Sequence, residues 1–352
     1  MKNLLIGIDF AKEKFDVCAM CVDGVDELAV EWHEPFINDT KGFNGLLSWA
    51  KRLCKKYHAY ELLFCGENTG NYSRKAADHI YEKGYDLWLA NPLVIKRGEP
   101  LKRGKNDKAD ALMIAKFAKK HYDERELYVS PSKELSDLRE VYRHRDHLVR
   151  EKMRLKVRNG EKQTTMKKTE GIKFIDQSSQ RIIKVIDAEI RKCNEKLKEL
   201  ISSNQALREN YEIVTSVPGV ALLTATCLLV YTDNFSRFGL NARRLACYYG
   251  VAPFGHESGS SVKGKPHVSH FCNKKIKAAL HEAALSARTF NPSIRAYYER
   301  LIKRGKASTL AMNNVKSKLL HIIVALVRDR KKFDKNYQIP FAECPKQQPV
   351  VA

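Results

Sequence analysis

Hydrophobic and polar positions in the first hundred residues follow the pattern of buried strands and amphipathic segments. Residues 4–9 and 62–67 are continuous apolar runs that each end in an acidic residue, which is typical of central strands covered on both faces. Residues 15–22 and 27–32 have the composition of further strands, and an Asp-Gly pair at 23–24 supplies the turn between them. The chain therefore begins with three predicted strands.

Helix and strand signals alternate from there to about residue 121. A helix is predicted at residues 42–57, a second helix ends near residue 84, and a strand at residues 85–90 is stopped by Asn91-Pro92. A basic loop follows, and then a helix that begins at Asp107. Three strands followed by alternating helices and strands is the element order of an α/β domain of the ribonuclease H-like class.

The middle of the chain is predicted to be helical. Residues 133–210 are highly charged and nearly free of proline, and Gly160 and Gly171 are the predicted breaks. A four-three-four-three apolar spacing, which is typical of a helical seam, is formed by Ile186, Ile190, Cys193, Leu197 and Leu200. Such a seam serves either a coiled coil between chains or a helical hairpin within one chain, and the sequence favours neither.

A third region begins near residue 211, where the composition becomes more apolar. The Val217-Pro218-Gly219 turn precedes a predicted helix at residues 221–230, and it either binds phosphate through backbone N–H groups or simply connects two helices. Residues 256–266 are small and polar and predict a loop. Its candidate hydroxyl nucleophiles are Ser258, Ser260 and Ser261.

These shifts predict four regions. They are an α/β domain at residues 1–125, a helical segment at 126–210, a mainly α domain at 211–332 and a mobile tail at 333–352.

Charge points to a polyanionic partner. The chain has 63 Lys and Arg against 41 Asp and Glu, a net charge of +22. Residues 96–108 contain six basic and two acidic residues, and residues 143–168 contain ten basic and three acidic residues. Both runs favour contact with a nucleic-acid backbone, although a solvated helix face explains the second run equally well. The candidate contacts are Lys102, Arg103, Lys105, Arg150, Arg154, Arg158, Lys263, Lys265 and Lys274.

Cysteine usage and hydropathy predict a cytoplasmic protein without a membrane partner. Nine cysteines are scattered without a disulfide framework, and no apolar stretch has the length and composition of a signal peptide or a bilayer span. Cys18 and Cys21 form one C-x-x-C motif. They lie in a predicted strand that points their side chains to opposite faces, so neither zinc binding nor redox chemistry is expected.

Four acidic residues carry the candidate chemistry. Asp9 and Glu67 end predicted buried strands, where a carboxylate is costly unless a cation meets it. Asp107 and Asp110 are three apart at a helix start and share one face, although an acid there is also a common helix cap. Oxygen ligands favour Mg²⁺ or Mn²⁺. The set predicts a metal-dependent phosphoryl-transfer site.

Several short motifs occur in a distinctive order over nearly the whole chain. They are Gly7-Ile8-Asp9, Gly66-Glu67-Asn68-Thr69-Gly70, the residues 105–111, Val217-Pro218-Gly219, Gly250-Val251-Ala252-Pro253 and Ser258-Gly259. In this order the chain resembles the transposases of the IS110 insertion-sequence family, which are also called bridge-RNA-guided recombinases and are related to pilin-gene invertases.

The resemblance implies a RuvC-like domain, a helical coiled-coil segment and a C-terminal transposase domain. It assigns Asp9, Glu67, Asp107 and Asp110 to a DEDD metal tetrad and Ser258 to the nucleophile, with Ser260 and Ser261 as alternatives. It further implies a homodimer or homotetramer with a composite site, donor and target DNA as substrates, and a structured guide RNA. The chain departs from the family pattern at residues 270–273, and Lys277 stands where an arginine is common.

Two other functions fit the same residues. One is a metal-dependent nuclease or junction resolvase, in which water attacks and Ser258 has no chemical role. The other is a non-catalytic nucleic-acid-binding protein, in which the acidic residues are structural caps. A requirement for Ser258 separates the transposase from the nuclease, and a requirement for metal separates both from the binding protein.

Overall fold

The structure is a computed structural model that describes residues 2–97, 107–165, 169–258 and 262–334, with backbone only for residues 97, 107, 162–165, 256–258, 262, 263 and 265. It comprises two compact units, Met1–Ser130 and Pro131–Ala352. Each unit is described by itself.

The first unit is a mixed α/β domain. Its elements are β1 (Lys2–Phe10), β2 (Lys14–Asp23), β3 (Asp26–Trp32), β4 (Phe36–Ile37), α1 (Thr40–Tyr57), β5 (Glu61–Glu67), α2 (Asn71–Glu82), β6 (Asp86–Ala90), α3 (Pro92–Arg97), α4 (Asp107–Lys120) and a 3-10 turn at Tyr122–Glu124. The three N-terminal strands and the later alternation of helices and strands agree with the order predicted from the sequence. The short strand β4 was not predicted, since two residues carry too little periodicity.

The strands form one sheet in the order β3-β2-β1-β5-β6, and β4 pairs with β2. β1 is antiparallel to β2 and parallel to β5, and β5 is parallel to β6. A meander of three antiparallel strands extended by parallel strands on the other side of β1 is the ribonuclease H-like arrangement. It places the carboxyl ends of β1, β5 and β6 at the same edge of the sheet.

Side chains alternate across the sheet and fill two separate cores. Leu4, Ile6 and Ile8 point to the face covered by α1 and α2, and they pack there with residues such as Leu46 and Ile80. Leu5, Leu63 and Cys65 point to the opposite face, where they pack against apolar residues of α4. The continuous apolar character of β1 and β5 follows from this double coverage.

The second unit is mainly helical. Its elements are α5 (Lys133–Thr165), α6 (Glu170–Ser203), α7 (Gln205–Thr215), α8 (Leu222–Tyr231), a 3-10 segment at Arg237–Leu240, α9 (Ala242–Tyr248), β7 (Pro253–Ser258), β8 (Val262–Val268), α10 (Lys274–Phe290), α11 (Pro292–Lys303) and α12 (Ser308–Arg328). One core includes Leu138 of α5, Leu197 of α6 and the inner faces of α8, α10 and α12.

Helices α5 and α6 pack on one another as a hairpin. Arg145 Nε donates to Asn194 Oδ1 at 2.7 Å, and Lys152 pairs with Asp187. Leu197, on the predicted seam, is fully buried. The seam therefore packs α6 within its own chain, and a coiled coil between chains stays a prediction.

The predicted helix break at Gly160 was wrong, whereas the break predicted at Gly171 lies within two residues of the end of the connection between α5 and α6. Gly160 lies inside α5, where an interior glycine costs about 1 kcal/mol, too little to end a helix that packs along a partner. Gly171 lies in the first turn of α6, which begins after Thr169, whose hydroxyl accepts from the backbone N–H of Ile172.

The turn at Pro218-Gly219 joins α7 to α8. Gly219 has a φ of 99°, and a Cβ at this position would lie 2.6 Å from the Cα of Ala287 in α10. Glycine is required here because the turn contacts another helix backbone and has a left-handed conformation. These contacts account for the turn as a connection between helices, and phosphate binding by it stays a prediction.

Helix α12 is long and apolar enough, by length and composition alone, to cross a membrane. Half of its apolar window is buried within the second unit, and Val315, Leu319 and Ile323 belong to the core there. It is the one helix in the described part of the chain that passes this test, and core helices of soluble proteins pass it as well.

Candidate active site

Two of the predicted acids lie side by side at the edge of the first unit's sheet. The parallel register pairs Ile8 with Gly66, so Asp9 and Glu67 are the next residues on adjacent strands. By alternation, Asp9 lies on the same face as Leu5 and Glu67 on the same face as Leu63, which is the face covered by α4. Both residues are half-buried. Asp9 and Glu67 therefore lie at adjacent strand ends, on the face of the sheet that α4 covers.

Helix α4 contacts β1 backbone to backbone. A Cβ at Gly7 would lie 2.6 Å from the backbone nitrogen of Ala115 and closer still to the carbonyl oxygen of Ala111. Only glycine permits this approach. Asp110 directly precedes Ala111, so this contact fixes the position of the Asp110 backbone relative to β1. Asp107 begins α4, one turn before Ala111, and its side chain lies outside the described residues.

A fifth acid, which the sequence analysis missed, belongs to the same face. Asp16 on β2 is the cross-strand partner of Asp9, and it is only 6% exposed. The nearest cation shown is Lys14, whose Nζ lies 3.9 Å from Asp16 Oδ2. Like charges directly opposite on adjacent strands are destabilising, and a bound cation would offset that repulsion. A charged residue inside an otherwise apolar strand was the available signal.

The candidate ligands have the chemistry that a divalent metal ion of the Mg²⁺ type prefers, but the structure does not bring three of the described acids Asp9, Asp16, Glu67 and Asp110 close enough to hold one. Every candidate ligand is a carboxylate, the donor that hard divalent cations prefer. Next to Glu67, the hydroxyl oxygen of Thr69 is buried without a hydrogen-bond partner among the described residues, so an oxygen donor remains available there. No group of three Asp, Glu, His or Cys side chains in the described part of the chain is close enough to hold a metal ion, and the Asp107 side chain is outside that part.

The C-x-x-C motif lies in the core and not at a site. Cys18 and Cys21 are both buried free thiols on β2. Burial raises the pKa of Cys18 to about 12, which outweighs the lowering effect of Lys116. Burial also raises the pKa of Cys21. Both thiols therefore stay protonated at neutral pH.

The serine-containing segment is a β-hairpin in its described part, and the loop prediction for residues 256–266 was wrong. β7 and β8 pair antiparallel, Ser258 opposes Val262, and the register shifts between Phe254 and His256. A two-stranded ribbon is held largely by backbone hydrogen bonds, so its small polar residues gave no strand signal. Ser258 ends β7, and its side chain and the residues Ser260 and Ser261 lie outside the described part.

The predicted nucleic-acid contacts fall into three groups. Arg150, Arg154 and Arg158 are exposed and four residues apart along α5, so they form one stripe. Arg150 pairs with Asp146, and Arg154 lies 2.7 Å from Glu151. Lys274 is exposed at the start of α10. The remaining candidates, Lys102, Arg103, Lys105, Lys263 and Lys265, are residues whose side chains lie outside the described part.

Comparison with protein families gives two matches along the chain. Residues 6–160 match the model DEDD_Tnp_IS110, described as "Transposase", and residues 211–299 match "Transposase IS116/IS110/IS902 family". Together they span more than two thirds of the chain. These matches define a transposase of the DEDD class, which is a DNA recombinase enzyme. The chain belongs to the IS110 family.

Individual relatives agree with this assignment. A "Pilin gene-inverting protein" of Moraxella bovis is 26% identical over 340 residues, which are 95% of this chain and 99% of the relative. The "Insertion element IS110 uncharacterized 43.6 kDa protein" of Streptomyces coelicolor is 34% identical over 117 residues, covering 33% of this chain and 28% of that protein. Among solved structures, a match to Thermus thermophilus RuvC in complex with a Holliday junction substrate covers 36% of this chain and 99% of that chain. The sequence identity is 12% and the TM-score is 0.24, so no argument is based on this match.

Proposed function

We propose that this transposase cuts and rejoins DNA strands at a divalent metal site held by Asp9, Glu67, Asp107 and Asp110. The carrying observation is the parallel pairing of β1 with β5 together with the contact of α4 at Gly7. When bound, Mg²⁺ or Mn²⁺ would polarise the scissile phosphate and offset the charge of the acids. The chain's own contribution is to hold the ligands at fixed strand ends and on one helix start.

A serine nucleophile accounts for rejoining without an external energy source. The hydroxyl oxygen of Ser258 attacks the scissile phosphorus, its proton leaves to solvent or a base, and the bond from phosphorus to the leaving strand oxygen breaks. The phosphodiester is conserved as a phosphoserine link. A strand hydroxyl then attacks the same phosphorus and releases the serine. The support is the family resemblance and the position of Ser258 at the end of β7.

Association between chains is part of the proposal. In a long helical hairpin, apolar side chains that remain exposed are candidates for contact with a second copy. On α5 and α6 these are Met153, Val157, Phe174, Ile175, Ile182 and Val185. A homodimer or homotetramer formed through this surface would bring the serine of one chain to the acids of another.

The polyanionic partners are donor and target DNA and a structured guide RNA. Support comes from the net charge of +22 and from the arginine stripe on α5. Because one relative is named a pilin gene-inverting protein, we include DNA segments that are inverted in place among the proposed substrates. We place the protein in the cytoplasm, on the nucleoid when it binds DNA. The nuclease alternative shares the acids but uses water in place of Ser258.

One experiment separates these functions. Purified full-length protein is incubated with Mg²⁺ and labelled DNA from the element's ends. The RNA that copurifies with the protein from cells carrying the flanking DNA is included. Denaturing gels then detect covalent protein–DNA adducts. We expect adducts in the wild type and in Ser260→Ala, and none in Ser258→Ala. Asp9→Asn is expected to lose cleavage and keep DNA affinity.

Cleavage that continues unchanged in Ser258→Ala without any adduct would establish the nuclease instead. Cleavage that continues in Asp9→Asn would refute the metal site. A single discrete copurified RNA encoded beside the gene supports guidance, and a mixture of unrelated nucleic acids contradicts it.

A further inference from the structure

A short segment of the second unit has an unusual backbone. Five residues between 233 and 240 other than glycine have a positive φ, in the left-handed region that residues with a Cβ rarely adopt. The core accounts for Phe235, which is 2% exposed and whose backbone N–H donates to Thr232 Oγ1 at 2.8 Å. Phe238, with a φ of 64°, is only half-buried. Strained residues cluster where proteins bind ligands, so the surface around Phe238 is a candidate site.

Phe238 lies against an aromatic residue of α9, and an arginine covers both rings. The ring centroids of Phe238 and Tyr248 are 5.2 Å apart, and the rings are tilted by 47°. The guanidinium of Arg237 lies over both, with its central carbon 5.1 Å from each centroid. Its Nη1 is 3.5 Å from the Tyr248 hydroxyl oxygen. Because Arg237 is exposed, the two rings hold one face of a guanidinium that solvent can still reach.

A second exposed arginine lies on the same side of α9. Arg244 is four residues before Tyr248, so both side chains are on one face of the helix, about 6 Å apart along its axis. The acid nearest to Arg237 in the sequence is Asp233, and Arg139 of α5 binds it at 2.5 Å. A guanidinium stacked on rings, with a further arginine one turn away, can stack a base and bind a phosphate of the same strand.

This surface is attached to both ends of the β7–β8 hairpin. α9 ends at Tyr248, five residues before β7 begins at Pro253. The carbonyl oxygen of Tyr248 accepts from the backbone N–H of Asn273 at 3.0 Å, and Asn273 lies between β8 and α10. A strand bound here would therefore lie next to the base of the hairpin that carries Ser258.

We propose that Arg237, Phe238 and Tyr248 form a stacking surface for an unpaired nucleobase, and that Arg244 binds a phosphate of the same strand. The base stacks on the outer face of the Arg237 guanidinium, whose inner face lies on the two rings. Bases within a duplex are already stacked on one another, so the ligand is a single strand or a loop. The inference rests on the proposed function for nucleic acid as the partner. Unpaired RNA and melted DNA share this chemistry, and the experiment distinguishes them.

The test measures the affinity of full-length protein for three labelled probes: a single-stranded RNA, a single-stranded DNA of the matching sequence, and the corresponding DNA duplex. Arg237→Lys keeps the charge and removes the planar guanidinium, and Phe238→Leu keeps an apolar side chain and removes the ring. Each variant should bind a single strand about 5- to 150-fold more weakly, which is the range for the loss of one stacked base. Duplex binding should stay close to that of the wild type.

Matched controls carry the same substitutions elsewhere in the second unit. Arg304 follows α11 and Phe290 ends α10, and both are exposed. Arg304→Lys and Phe290→Leu should bind all three probes like the wild type. Arg244→Gln should lower the slope of log K against log salt for a single strand by about 0.7, the contribution of one phosphate, whereas Arg304→Gln should leave the slope unchanged.

Unchanged single-strand binding in Arg237→Lys and Phe238→Leu overturns the stacking surface and leaves the proposed function intact. An equal loss in the controls, or an equal loss of duplex binding, also overturns it, because the effect would then not be one of stacking. A loss confined to the RNA probe identifies RNA as the ligand, a loss confined to single-stranded DNA identifies DNA, and a loss with both supports the shared base stack. Absence of nucleic-acid binding by the wild type contradicts the proposed function itself.

Folding is controlled separately. The melting temperature of each variant is measured without nucleic acid, since Phe238→Leu also loses ring contacts within the fold. If Phe238→Leu does not fold, the exposed Arg237→Lys decides the question by its own affinity for the single strands.

Discussion

Replacement of Gly7 by alanine is expected to separate α4 from β1. The added Cβ would lie 2.6 Å from the backbone nitrogen of Ala115 and closer to the carbonyl oxygen of Ala111, and neither atom belongs to a flexible side chain. Because non-bonded heavy atoms prefer separations of about 3.5 Å or more, α4 would have to retreat by about 1 Å. Overpacking of a core by one methyl group costs about 1–3 kcal/mol, and a clash with backbone on both sides places Gly7→Ala at the upper end.

The assay is calorimetry of full-length protein with and without Mg²⁺. A loss of about 3 kcal/mol lowers the melting temperature of a unit of this size by roughly 10 °C. Asp110 moves with α4 while Asp9 stays on β1, so the rise in melting temperature on adding Mg²⁺ should also shrink. Strand cleavage should fall by about a hundredfold, as expected when catalytic groups are displaced by 1 Å.

The matched control is Gly160→Ala. A Cβ at Gly160 meets nothing within 4 Å, and this residue lies inside α5, so alanine should stabilise the second unit by about 0.5–1 kcal/mol. The reasoning is refuted if Gly7→Ala melts like the wild type and responds fully to Mg²⁺.

Three further substitutions test the charges of the two units. Asp16→Asn removes the like charge opposite Asp9, so the first unit should melt at a higher temperature without metal. In thermal-shift assays, the increase in melting temperature on adding Mg²⁺ should be smaller than in the wild type. An unchanged melting temperature together with an unchanged response to Mg²⁺ would contradict this. Burial opposes ionisation of Asp146, but hydrogen bonds from Lys275 and Arg150 prevail and hold its pKa below the usual range. The stabilising contribution of Asp146 is therefore complete above about pH 4 and is lost as the pH falls through the lowered pKa. In urea titrations, the free energy of unfolding of Asp146→Asn should be lower than that of the wild type at about pH 7, and the difference should disappear in acid. A difference that does not depend on pH would contradict the assignment. Arg139 of α5 donates from Nη2 to Asp233 Oδ1 at 2.5 Å and to the carbonyl oxygen of Val230 at 3.2 Å. Arg139→Ala should therefore lower the free energy of unfolding of the second unit by about 1–3 kcal/mol in urea titrations. The control Arg143→Ala, which removes a pair with Glu140 within the same helix, should change it little.

The sequence predicted the elements that carry the acids because their signals are local. Continuous apolar runs ending in Asp9 and Glu67 can only be strands that are buried on both faces and whose ends reach an edge. The close contact at Gly7 could not be predicted in the same way, since it depends on which helix crosses which strand. Asp16 was missed for a similar reason, because its cross-strand pairing with Asp9 is a property of the hairpin register and not of either strand alone.

Two errors show where local reasoning fails in the second unit. Gly160 was taken as a helix end, but packing of α5 along α6 outweighs a propensity cost of about 1 kcal/mol. The segment around Ser258 was taken as a loop from its small polar residues, although backbone pairing suffices to make a two-stranded ribbon. In both cases a partner element supplies stability that no short window of sequence contains.

The division into two units makes the proposed roles experimentally separable. The acids lie on strands and a helix of the first unit, whereas Ser258 and the arginine stripe of α5 lie in the second. Substitutions at Gly7 or Asp16 should change the response to Mg²⁺ and leave the salt dependence of DNA binding unaltered. Substitutions at Arg150, Arg154 or Arg158 should do the reverse. A variant of one unit that altered both properties would mean that the metal ion and the DNA phosphate are bound jointly, and the two sites would then have to be treated as one coupled centre.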